Sequence, residues 1–145
     1  MFEFVLRDMV EKRGLKDRFE IASAATSTEE LHNPVHPGTQ RQLRAHHIGE
    51  TSYTDFSRKR AQQLSRSDYD YYDYILCAEK YNIQCAKRIT GEDKQKKIKL
   101  LLDFTSRPGR DVADPWYSGE FETTYNDAVE GCTAFLDYLK QNGEI

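Results

Sequence analysis

Long apolar runs are what this sequence has least of. No stretch approaches the roughly 20 consecutive apolar residues of a membrane-spanning helix, and the mean hydropathy is −0.80, so a membrane role is not expected. The N-terminus also lacks the basic-then-apolar order of a signal peptide. Cysteine is scarce: Cys77, Cys85 and Cys132 are the three in the chain, an odd number without close pairs. That suits free thiols in a reducing, cytoplasmic setting better than a disulfide framework. An excess of positive charge is absent as well. The formal net charge is −3, with Lys and Arg scattered among Asp and Glu, so nothing resembles the electrostatic footprint of a nucleic-acid binder. The basic cluster Lys94-Gln95-Lys96-Lys97-Ile98-Lys99 follows Glu92 and Asp93 and reads as a solvated loop entering a strand.

What is present fits a single domain over residues 1–145, long enough to bury one core without staples. Phe2, Val5, Leu6, Met9 and Val10 recur at helical spacing and Gly14 follows Lys12-Arg13, which predicts a first helix from about Phe2 to Arg13. Arg18 to Ala25 alternates weakly and reads as a short strand. Pro34, Pro37 and Gly38 punctuate a loop, after which Thr39 to His46 can form a helix. Ile75-Leu76-Cys77-Ala78 has the apolar continuity of a buried parallel strand, with the tyrosines of the preceding Asp68-to-Tyr74 run covering the sheet edge. A helix from Glu79 to Arg88 stops at Gly91, and Ile98 to Phe104 reads as a third strand. The clearest helix is the last, with Phe121, Tyr125, Ala128, Val129, Cys132, Leu136 and Leu139 on one face. This order predicts an α/β fold, a parallel sheet flanked by helices.

His32, His36, His46 and His47 invite a metal reading. The prolines at 34 and 37 break helical spacing between the first pair, and no acid or thiol at ligand spacing accompanies them. Neither a metal nor another cofactor is expected.

The chemistry concentrates in Asp111-Val112-Ala113-Asp114-Pro115-Trp116-Tyr117. A residue before proline is disfavoured in the α region, so Asp114 is presented from a turn or extended loop. Trp116 and Tyr117 beside it can wall a slot for a flat ring. Taken alone, the stretch reads more readily as an Asp-Pro turn whose aromatics cover the core edge. Its place after the third strand and before the last helix puts it at the carboxyl end of the sheet, where α/β ligands bind.

These pieces together resemble the low-molecular-weight protein tyrosine phosphatase family. Met1-Phe2-Glu3-Phe4-Val5-Leu6 is similar to the helix after that family's phosphate loop, Tyr72-Asp73-Tyr74-Ile75-Leu76-Cys77 to its inner strand, and Asp114-Pro115-Trp116-Tyr117 with Phe121-Glu122-Thr123-Thr124-Tyr125 to its acid loop and last helix. The resemblance implies a three-layer phosphatase fold and the hydrolysis of a phosphotyrosine protein or a small phosphomonoester. It implies Asp114 as the general acid that protonates the leaving oxygen, with Trp116 and Tyr117 at the substrate.

The family's nucleophile loop, C-x-x-x-x-x-R-[ST], has no counterpart here. Cys77 is followed six positions on by Ile83, Cys85 by Gly91 and Cys132 by Tyr138, so no nucleophile is assigned. The expectation is a domain without the family's first inner strand and phosphate-binding loop, inactive in this form and poorly stable alone. On the loop after Ser23, where relatives place a second aromatic, the chain has Glu29 and Glu30. The alternatives are a thioredoxin-coupled arsenate reductase of the same fold, with Cys77 and Cys85 as the relay, and a catalytically dead remnant that binds a partner through an exposed sheet edge.

Overall fold

The computed structural model describes residues 1–113 and 120–145. Along the chain lie helix α1 (Phe2–Lys12), a 3-10 turn (Lys16–Arg18), α2 (Pro37–Ala45), α3 (Arg66–Tyr71), strand β1 (Ile75–Cys77), α4 (Lys80–Thr90), strand β2 (Ile98–Leu100), a second 3-10 turn (Leu101–Phe104) and α5 (Phe121–Gln141). β1 and β2 pair in parallel, Ile75 opposite Ile98 and Cys77 opposite Leu100, with α4 as the crossover that a parallel pair requires. The fold is α/β, a parallel sheet flanked by helices.

Helix α5 organises the core. Its Ala128 and Cys132 pack with Phe4 and Val5 of α1, Leu43 of α2, Ile48, Phe56 and Leu101. Further along, its Phe135, Leu136 and Leu139 pack with Val10 and Ile21. Cys132 is 1% exposed, a core thiol as its place on the apolar face predicts, and burial pushes it up to about 12. α1 ends where Gly14 takes φ +71°, a conformation open to glycine at little cost. Gly91 ends α4 in the same way at φ +86°.

Three elements differ from the sequence reading. Residues 19–24 join no ladder, although Phe19 itself is extended; Ala25 makes an isolated bridge to Gln63. The carbonyls a strand partner would use are taken by side chains, Ile21 O by Arg7 Nη2 at 2.7 Å and Ser23 O by Lys59 Nζ at 3.1 Å. β2 stops at Leu100 rather than Phe104. Leu101 and Leu102 are 2% and 0% exposed, and a strand would send consecutive side chains to opposite faces. The 3-10 turn lets both face α5, where Gly131 makes room: a Cβ there would meet Leu101 Cγ at 2.6 Å.

The tyrosine run is the third difference. Part of it is helix α3, opened by a capping box in which Ser65 N donates to Asp68 Oδ2 at 2.9 Å. Tyr69 turns inward instead of covering an edge: it is 7% exposed, and its hydroxyl donates to Asp93 at 2.7 Å. The basic cluster is solvated only in part, since Lys97 Nζ folds back to donate to Tyr69 O at 2.6 Å.

Candidate active site

Asp114, Trp116 and Tyr117 lie outside the described residues; the residues on either side of them are described. On the entry side each residue from Arg110 to Ala113 is tied to the body of the fold. The guanidinium of Arg110 pairs with Asp127 of α5 at 3.1 Å and with Glu130 one turn on. Asp111 Oδ1 accepts from Lys80 N at 2.9 Å, at the first turn of α4. Val112 N donates to Ala78 O at 2.9 Å, immediately beyond β1. Ala113 N donates to Asp127 Oδ2 at 3.1 Å, and Ala113 O accepts from Thr124 Oγ1 at 2.8 Å. Entry is therefore fixed at the carboxyl end of β1, where an α/β sheet offers its ligand crevice.

On the exit side, Phe121 opens α5 and stacks on His36, ring centroids 5.2 Å apart and planes 17° apart. The ring lies so close over Gly38 that a Cβ there would meet it at 2.4 Å, which is why the first turn of α2 carries a glycine. His36 is the N-cap of α2, its Nδ1 accepting from Gly38 N at 3.0 Å. That bond requires the tautomer with Nδ1 unprotonated. Two of the other three histidines are also engaged: His46 stacks on Tyr125 at 3.8 Å, and His47 Nδ1 is 3.1 Å from Glu50.

A cavity of about 240 Å³ opens beside this exit, at the N-terminal end of α1, and His36 is one of its walls with Ser23, Asn33, Thr39, Lys59 and Gln62. The N-termini of α1, α2 and α5 thus gather around one region. Helix N-termini carry the positive end of the backbone dipole, which favours an anion, while the Glu3 carboxylate on the same wall is neutralised by its cationic neighbours. Glu3 has a 4% exposed side chain. It receives Arg7 Nε at 3.0 Å, Lys59 Nζ at 2.9 Å and Ser23 Oγ at 2.7 Å. That cluster ties α1 to the extended segment and to the loop after α2.

Sequence reasoning missed the side chains that hold Ala113, the last described residue before the 114–119 segment. Thr124 and Asp127 were legible only as polar residues near an apolar helix face, and Arg110 as part of a loop. His36 was weighed as a metal ligand and serves instead as a cap and ring partner. Cys77, 7% exposed, is pushed up by burial to about 11, the opposite of what a reactive thiolate needs.

A sequence profile described as low molecular weight phosphotyrosine protein phosphatase matches residues 1–144. The Bacillus subtilis low molecular weight protein-tyrosine-phosphatase YfkJ is 32% identical over 146 residues, covering 100% of this chain and 90% of its own. The low molecular weight phosphotyrosine protein phosphatase of Gallus gallus is 33% identical over 139 residues, covering 93% of this chain and 84% of its own. The crystal structure of YfkJ superposes with a TM-score of 0.86, over 97% of this chain and 86% of that one. With Val112 seated on the residue after β1 and the matches running the length of the chain, this protein belongs to the low molecular weight phosphotyrosine protein phosphatase family.

Proposed function

We propose that the chain carries the scaffold and the general acid of a cysteine-dependent protein tyrosine phosphatase, and that these 145 residues alone do not turn over substrate. Asp114 protonates the phenolate oxygen as it leaves phosphorus, and Trp116 and Tyr117 line the slot for the phenyl ring. The substrate is a phosphotyrosyl protein or a small aryl phosphate. The observation that carries this reading is the anchorage of both flanks of the 114–119 segment next to three converging helix N-termini, a placement suited to a donor beside a bound phosphate.

None of the three cysteines supplies the nucleophile. Each lacks an arginine six positions on, and burial pushes Cys77 and Cys132 up to about 11 and about 12. A buried, protonated Cys77 also gives little support to the arsenate reductase reading, whose relay needs reactive thiols.

The test compares p-nitrophenyl phosphate hydrolysis by the 145-residue chain with that of the chain joined at Met1 to a strand and a C-x-x-x-x-x-R-[ST] loop. The expected result is no turnover by the first and turnover by the second. In the second, Asp114→Asn is expected to lower kcat about 10²- to 10⁴-fold for poor leaving groups, the range of a general acid's contribution. Turnover by the unextended chain, or an unaffected Asp114→Asn variant, overturns the reading.

A further inference from the structure

We infer that Thr124 and Asp127 are positioning residues for Asp114, acting through the peptide unit of Ala113; the catalytic meaning of this rests on the reading of Asp114 as the acid. Both backbone polar groups of Ala113 are bound by side chains of one helix. Thr124 Oγ1 donates to the carbonyl at 2.8 Å, and Asp127 Oδ2 accepts from the N–H at 3.1 Å. Residues three apart lie on the same face of a helix, so the pair acts as a two-point clamp from α5.

The chemistry of the two residues supports that role. Thr124 is 6% exposed, and valine would fill the same space while burying no hydroxyl. A Thr inside a helix can satisfy its hydroxyl on its own preceding turn, whereas this one is directed to Ala113. Asp127 divides its carboxylate, one oxygen on the Arg110 guanidinium at 3.1 Å and the other on Ala113 N. The ion pair thereby orients the carboxylate that holds the backbone.

Planarity of the peptide bond carries the effect forward. The Ala113 carbonyl oxygen and the nitrogen of the next residue belong to one rigid plane, so holding the oxygen holds that plane. With Asp111 held on α4 and Val112 on the residue after β1, little freedom remains upstream of the acid. A proton donor must come within hydrogen-bond reach of its acceptor, and a misplacement of about 1 Å costs about 10²-fold in rate.

Trp116 is the single tryptophan of the chain and stands two positions beyond Asp114, so its fluorescence reports on the segment without a label. In Thr124→Val, acrylamide quenching of Trp116 is expected to rise and the Ala113–Asp114 amides to exchange about fivefold faster, as for the loss of one hydrogen bond. Thr124→Ser keeps the hydroxyl and is expected to restore both readouts. Asp127→Ala repeats the first result from the other side of the clamp. Circular dichroism of each variant establishes that α5 is intact, and slow exchange of the Ala113 amide in the unaltered chain is a separate requirement needing no variant. Unchanged quenching and exchange in Thr124→Val and Asp127→Ala, or rapid Ala113 exchange in the unaltered chain, overturn the inference. Turnover of Asp114→Asn tests the acid assignment by itself, so either idea can fail without the other.

Discussion

Glu3 shows how one residue couples distant parts of the chain. Its carboxylate is buried and satisfied by Arg7, Lys59 and Ser23, and its two cationic partners are about a quarter exposed. Glu3→Gln removes the charge while both cations remain beside it, and loses about 2 kcal/mol of stability, measurable by urea denaturation. Asp93 works by backbone capture. Burial pushes it up, but hydrogen bonds from the Tyr69 hydroxyl and the N–H groups of Lys97 and Ile98 outweigh this and hold it below the ordinary carboxylate range. A lowered folded value means that the unfolded chain binds the proton first, so this contribution is complete above the unfolded value of about 3.9. It is lost as pH falls through the folded value. Unfolding curves between pH 6 and pH 3 are expected to show a steeper loss for the unaltered chain than for Asp93→Asn, which begins less stable at pH 6.

At the scale of elements, the contact between α5 and the 3-10 turn after β2 depends on Gly131. An alanine there gains about 1 kcal/mol in helix propensity. Its Cβ would meet Leu101 Cγ at 2.6 Å and Leu102 Cδ2 at 3.2 Å, and overpacking of a filled core costs about 1–3 kcal/mol. The space lost is backbone-close, so the steric cost prevails. Gly131→Ala is expected to lower the Tm by several degrees in a calorimetric scan, and Leu101→Ala in the same background to recover part of that loss. The helices themselves were legible because their signals are local: apolar spacing for α1 and α5, and Gly91 after α4. The strands were less so. Phe19 to Ala24 and Leu101 to Phe104 have strand-like composition, but pairing depends on what lies alongside. In the first case the lateral neighbours are the side chains of Arg7 and Lys59, and in the second α5.

For the molecule as a whole, β1 and β2 pair only with each other among the described residues. A two-stranded parallel sheet of three-residue strands contributes little by itself, and unpaired edges invite association. The 145-residue chain is expected to elute partly as soluble aggregate in size-exclusion chromatography at tens of micromolar and to unfold over a broad range. A monodisperse monomer with one sharp, cooperative transition is the contrary outcome. None of the described helices is long and apolar enough to cross a membrane.

The sequence by itself determined the fold class and the long helices, because periodicity and glycine stops are properties of neighbours along the chain. It also determined that no cysteine here heads the family's nucleophile motif. Only the tertiary structure decided how Ala113, at the entry to the 114–119 segment, is held. Thr124 and Asp127 reach Ala113 across 11 and 14 positions, and His36 meets Phe121 from another helix altogether. Contacts of that kind follow from how α2, α5 and the end of β1 pack, and packing is set by shape and burial summed over the whole core rather than by any local run of residues.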